Sequence, residues 1–142
     1  MCIRDRFEIK DLERKFFLEK TYNIGVEATM DVIGGKWKSI ILCNLRHQPR
    51  RPGELKRSIP GISQKMLTQQ LRELELDNII VRTVYNQVPP KVEYSLSPYG
   101  ESLNNILDNL CSWGEDHVRN LKAQGEEVCI LEEDELTAEK IR

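Results

Sequence analysis

At 142 residues with 39% hydrophobic content, the chain has enough apolar material for one domain with a real core and too little length for two comfortable ones. Its charged content of 31% and the absence of a long apolar run place it among soluble globular proteins and exclude a membrane-embedded one. The net charge of −2 argues against a chain that is basic throughout, but the mean conceals a strong asymmetry between a basic centre and an acidic C-terminal end.

The N-terminal stretch MCIRDRFEIKDLERKFF alternates charges and lacks the apolar segment of a signal peptide, so a cytoplasmic location is expected. Phe7, Leu12, Phe16 and Phe17 sit among charged helix formers, which makes residues 1–20 an arm or amphipathic helix. Val26 to Ile33 reads as a short helix closed by Gly34-Gly35, since glycine readily adopts the left-handed conformation that ends a helix. A buried helix follows over Lys36 to His47, with Ile40, Ile41 and Leu45 at helical spacing from Trp37, and it stops before Pro49. Arg50 and Arg51 can add a short extended piece, after which Pro52 suits the first turn of a helix over Gly53 to Ser58.

Pro60-Gly61 makes a turn, and Ser63 is a good N-cap for the stretch SQKMLTQQLRELELDN. At 100° per residue, Leu67, Leu71, Leu74 and Asn78 form one narrow stripe suited to a core. The opposite side carries Lys65, Thr68, Gln69 and Arg72, with Glu73 and Glu75 on flanking positions. Arg and Lys read guanine, Gln reads adenine, and Thr takes phosphate or a thymine methyl, so this face suits the major groove of DNA. Leu76 falls on the same outward side by phase, which implies a bend at the helix end or a contact beside the groove.

Ile79 to Tyr85 is β-branched and aromatic, and Val92 to Leu96 alternates at period two across a polar, proline-bearing tip. A hairpin directly after such a helix is the wing of a winged helix-turn-helix, with Asn86 and Lys91 placed for phosphate or the minor groove. Ser97-Pro98 then opens a last long helix on which Leu103, Ile106, Leu107, Leu110, Cys111, Trp113 and Val118 make a broad apolar face. That face is wider than one small core needs and is assigned to a dimer interface together with the N-terminal segment.

The fold class expected is therefore mainly α with a small β-hairpin wing, organised as an arm over 1–20, a DNA-binding and dimerisation domain over 21–121, and an acidic tail over 122–142. Between Lys36 and Arg72 lie nine bases, Lys36, Lys38, Arg46, Arg50, Arg51, Lys56, Arg57, Lys65 and Arg72, against Glu54 alone. Such a local basic field concentrates a polyanion. The four cysteines, Cys2, Cys43, Cys111 and Cys129, form no CxxC or Cys/His cluster, so neither zinc nor any other cofactor is expected, nor a structural disulfide in a reducing compartment. Cys43 and Cys111 fall inside apolar helical patterns and are expected to be buried.

The segments VEATMDVIGGKWKSIIL, ELKRSIPGISQKMLTQQLRELELDNII, RTVYNQVPPKVEYSLSPYGESL and LCSWG resemble the HxlR-type branch of the MarR-like winged-helix transcriptional regulators, over about Tyr22 to Asn120. The resemblance implies a homodimer on a palindromic operator in double-stranded DNA, with Ile62 to Asn78 as recognition helix, Thr83 to Tyr94 as wing and the terminal helices as dimer interface. The candidate DNA-binding residues are then Arg51, Ser63, Gln64, Lys65, Thr68, Gln69, Arg72, Asn86 and Lys91. Many members carry a Cys-Pro pair before the VEA segment, and some sense oxidants or electrophiles there. Here Ile24-Gly25 occupies that place, so the sensing chemistry does not carry over. An enzyme is disfavoured by the lack of a phosphate loop or nucleophile elbow, and His47 and His117 stand in no recognisable constellation. The rival of a different class is a winged helix used as a protein-interaction module, which the acidic tail fits and the basic run does not.

Overall fold

A computed structural model describes residues 20–131; the expected N-terminal helix and the acidic end from Glu132 onward lie outside them. The elements in chain order are α1 (Gly25–Ile33), α2 (Lys38–Leu45), α3 (Pro52–Ser58), α4 (Gln64–Leu76), β1 (Ile80–Tyr85), β2 (Lys91–Leu96), α5 (Pro98–Glu101) and α6 (Asn104–Ala123). This is the mainly helical winged helix expected, with one antiparallel hairpin. The chain divides into two compact units at Ser102 and Leu103, inside the stretch expected to form one domain.

In the first unit α2, α3 and α4 are driven inward by a few aliphatic side chains. Ile41, Leu42 and Leu45 of α2, Leu55 of α3 and Leu67, Leu71 and Leu74 of α4 are all buried, joined by Ile59, Ile62, Ile79 and Ile80 from the connecting turns and the hairpin base. Each such side chain contributes about 1.5–3 kcal/mol when it leaves water. Arg50 makes the expected extended piece: its N–H donates to the Tyr94 carbonyl at 2.9 Å and its carbonyl accepts from the Tyr94 N–H at 2.8 Å. The wing is thus tied by a third short segment just before α3.

Local chemistry sets the boundaries. The Glu27 carboxylate caps α1 by accepting the N–H groups of Asn23 (3.1 Å) and Ile24 (3.3 Å). A side chain at Gly34 would drive its Cβ to 2.2 Å from the Met30 carbonyl, and the left-handed turn falls on Gly35, at φ +84°. The Asp31 carboxyl on α1 is held below its ordinary range, first by the Tyr22 hydroxyl that donates to it and then by Lys20.

Two expectations about where helices end need correction. Asn78 does not extend the apolar stripe of α4: the helix ends at Leu76, and Asn78 is exposed at φ +62°, where a short polar side chain is tolerated. Leu76 is half-buried at that end. The last helix is also broken. Ser97 caps a single turn, its Oγ accepting from the Gly100 N–H at 2.8 Å and donating to the Asn78 carbonyl at 2.6 Å. Gly100 lies so close to the Ile79 carbonyl that an added Cβ would stand 2.0 Å from it. That docked turn ends at Ser102, and α6 starts afresh at Asn104.

On α6 Leu107 is buried, while Ile106, Leu110 and Trp113 are exposed, and the Trp113 ring stacks on His117 at 5.0 Å. Cys111 was expected to be buried and is exposed. Cys43 is half-buried and Cys129 exposed.

Candidate nucleic-acid interface

The candidate surface is built on α4. Ser63, in extended conformation, caps it by accepting the Met66 N–H at 3.1 Å, which satisfies one of the donors a helix start leaves open. Burial of Leu67, Leu71 and Leu74 fixes the rotation of the helix about its axis. Gln64, Lys65, Thr68, Gln69 and Arg72 are consequently all exposed. Gln64 and Thr68 are already organised: the Thr68 hydroxyl donates to the Gln64 carbonyl at 2.9 Å and accepts from Gln64 Nε2 at 3.3 Å. Lys65, Gln69 and Arg72 carry no ion pair or side-chain hydrogen bond among the described residues, so their donors are free for an incoming acceptor.

The structure sorts the nine bases of the central run into two groups. Lys38 is nearly buried and pairs with Glu73 at 3.4 Å, while Arg50 donates from Nε to the Asn44 carbonyl at 3.3 Å and lies 3.8 Å from Glu54. Arg46 is half-buried. Lys38 and Arg50 serve the framework. Lys36 lies over the Trp37 ring, 4.7 Å from its centroid, and stays exposed. Arg51, Lys56, Arg57, Lys65 and Arg72 are exposed, which leaves the outward positive charge on α3, its N-terminal flank and α4. The Arg51 N–H donates to Glu54 at 3.3 Å, while its side chain makes no ion pair or hydrogen bond among the described residues.

In the wing, β1 and β2 pair from Ile80 with Leu96 to Tyr85 with Lys91. Only Ile80 of β1 is buried. Asn86 is exposed at the tip beside Val88, which is 100% exposed. Lys91 is more committed than its sequence position implies: its ammonium pairs with Glu93 at 2.8 Å and lies 4.9 Å from the centre of the Tyr85 ring.

Sequence reasoning missed Arg82. It lies on β1 opposite Tyr94, exposed, with no ion pair among the described residues. Paired residues share a sheet face, so Arg50, Tyr94 and Arg82 form one row across three adjacent segments, with Arg50 turned inward to Glu54 and Arg82 open. The signal was present as a lone base in an otherwise β-branched run, IIVRTVY. Among the described residues no group of His, Cys, Asp and Glu is placed to hold a metal ion. No described helix is long and apolar enough to cross a membrane.

A family model described as HxlR-like helix-turn-helix matches residues 32–122. The chain is 62% identical over 115 residues to the HTH-type transcriptional regulator YtcD of Bacillus subtilis (strain 168), across 81% of this chain and 90% of that protein. A crystal structure of an HTH-type transcriptional regulator named ytcD is 64% identical, with a TM-score of 0.65, over 68% of this chain and 98% of the other. The redox regulator HypR in its oxidized form is 52% identical, with a TM-score of 0.64, over 66% of this chain and 96% of its own. A helix-turn-helix with a cation-bearing outward helix face, a paired wing and agreement of this extent lead to one conclusion: the chain belongs to the HxlR-like helix-turn-helix family of MarR-like transcriptional regulators, which bind DNA and are not enzymes.

Proposed function

We propose that the protein is a sequence-specific regulator that binds a palindromic operator as a homodimer, with α4 in the major groove and the wing on the adjacent backbone or minor groove. The observation that carries this reading is the outward row Lys65, Thr68, Gln69 and Arg72, free of exposed unpaired carboxylates and backed by three buried leucines. Gln69 and Arg72 are assigned to bases, with Gln64, Lys65 and Thr68 beside them. Ser63 and Arg51 are assigned to the backbone at the helix starts, and Asn86, Lys91 and Arg82 to the wing. The working unit is residues 21–121, flanked by the arm over 1–20 and the acidic tail over 122–142.

Dimerisation is supported by Ile106, Leu110 and Trp113 of α6, large apolar side chains that the single chain leaves exposed, Trp113 by 67%. A two-fold axis lets two modest recognition surfaces act on one site, with half-sites separated by about one helical turn, roughly 10 base pairs, or a multiple. The regulatory input differs from thiol sensing before the VEA segment, since Ile24 there has no thiol to oxidise. Footprinting across bacterial genomic fragments, with light scattering of the free and bound protein, tests the whole reading. The expected result is a dimer protecting a two-fold symmetric site. A monomer that stays monomeric on DNA, or binding to a protein partner with no salt-sensitive affinity for duplex DNA, overturns it.

A further inference from the structure

α4, the helix assigned to the major groove, carries two carboxylates on the flanks of its outward face, Glu73 and Glu75, and among the described residues Glu73 is the one held in an ion pair. Glu73 lies one turn beyond Gln69 on the same ridge of α4, so a free negative charge there would stand beside the groove that Gln69 and Arg72 are assigned to read, and near the phosphates that line it. Within a Debye length of about 8–10 Å at ordinary ionic strength, such a charge repels the backbone. Yet Glu73 is not free. Lys38, the first residue of α2, brings its ammonium to 3.4 Å from a Glu73 oxygen. The lysine side chain is only 13% exposed and the glutamate 42%. A nearly buried ammonium needs a charged partner, and Glu73 answers that need from the adjacent helix. Asp31 on α1 also feels the Lys38 charge, but its own direct partners are Lys20, at 3.1 Å, and the Tyr22 hydroxyl.

We propose that Lys38 is a positioning residue for DNA binding, acting through Glu73: it draws that carboxylate back toward α2 and neutralises it, which keeps the groove-facing row of α4 electropositive. The inference rests on the DNA-binding reading above and adds to it a residue that never touches DNA. The charge of Lys38 belongs to a sequence run that looks like a continuous phosphate-binding patch. Its role is instead internal, and its effect on DNA is indirect.

Lys38→Met keeps the apolar stem and removes the charge, leaving Glu73 unmasked. Affinity for a labelled duplex of arbitrary sequence is measured by fluorescence anisotropy between about 50 and 200 mM salt, for wild type, Lys38→Met and Lys38→Met/Glu73→Gln. The expected result is a loss of about three- to tenfold in Lys38→Met at low salt, closing as salt rises, because an unscreened charge at this range is worth that order. The double variant is expected to recover wild-type affinity at every salt concentration. Lys38→Gln serves as the single variant should Met at this position prevent folding, which circular dichroism reports. Equal losses in the single and double variants, with the salt slope lowered by about one, would mean that Lys38 grips phosphate itself and would overturn the inference. So would unchanged affinity in Lys38→Met, or a loss that follows the folded fraction and is not rescued by Glu73→Gln. A wild-type protein that binds no duplex at all overturns the DNA-binding reading first, and this inference with it.

Discussion

α4 and the wing are neighbours in the chain and belong to one proposed interface, but they are held in different ways. α4 is over-determined: a side-chain cap at Ser63, three fully or nearly fully buried leucines and the Lys38–Glu73 pair all specify one orientation. Its outward donors Lys65, Gln69 and Arg72 are left unengaged among the described residues. In β1 only Ile80 is buried, and Val81, Val84 and Tyr85 are exposed. The wing compensates with contacts among its own side chains, Lys91 to Glu93 and to the Tyr85 ring. A surface that must match base edges has to be rigid and free of internal partners, whereas one that follows a backbone can be held loosely and spend part of its charge on itself.

The largest effect that tests this contrast is on stability. Leu67 is fully buried, so Leu67→Ala is expected to destabilise by about 2–5 kcal/mol through lost burial and the cavity it leaves. Val84→Ala on the exposed wing strand should stay within about 0.5 kcal/mol. Urea denaturation of both variants checks the pair. Similar values for the two would erase the distinction between a core-anchored helix and a self-supported wing.

Next in size is base recognition. Arg72→Ala is expected to cost about 1–3 kcal/mol on the operator and to relax preference at particular positions, because a bidentate guanine contact carries sequence information. Gln69→Ala should act likewise at other positions. Binding-site selection from random duplexes reads this directly. If Arg72→Ala kept both operator and random-sequence affinity, α4 would be a braced but idle helix.

Smaller again is the cap. Ser63→Ala removes the acceptor of the Met66 N–H and is expected to cost about 1 kcal/mol of stability, while Ser63→Asp retains it. Thermal unfolding of the two variants tests the assignment. Equal loss in both would mean that the Ser63 hydroxyl is not what closes the helix start.

Much of this was legible in the sequence because it rests on period and on local turn chemistry. The Leu67, Leu71, Leu74 spacing, the Ser63 cap, Pro52 at a helix start and the hairpin after Asn78 each follow from neighbours a few residues apart. What escaped is tertiary. No pattern shows that Lys38 is occupied by Glu73, thirty-five positions on by number, or that Arg50 turns toward Glu54 and Asn44. Cys111 looked buried because helical phase marks an apolar side without saying whether this chain or another covers it. The break at Ser102 was hidden because the close approach of Gly100 to the Ile79 carbonyl depends on the hairpin base.

The smallest expected effect lies within the wing and decides which of its bases serves DNA. By sequence Lys91 is the natural phosphate contact at the hairpin tip, but its ammonium is already paired at 2.8 Å with Glu93 and set against Tyr85. Moving it to a phosphate gives up those contacts and gains only the difference. Arg82 is exposed, open and planar, and has no such exchange to make. Arg82→Ala is therefore expected to weaken binding to all sequences alike and to lower the salt slope by about one unit, whereas Lys91→Ala should change the slope by less. Releasing Lys91 from its partner sharpens the point: Glu93→Gln should raise affinity for arbitrary duplex slightly at low salt, and Lys91→Ala in that background should then cost more than it does in wild type. A Lys91→Ala loss equal to or greater than that of Arg82→Ala in the wild-type background would show that the internal pairing does not hold the lysine back, and the wing would then grip DNA with donors as free as those of α4.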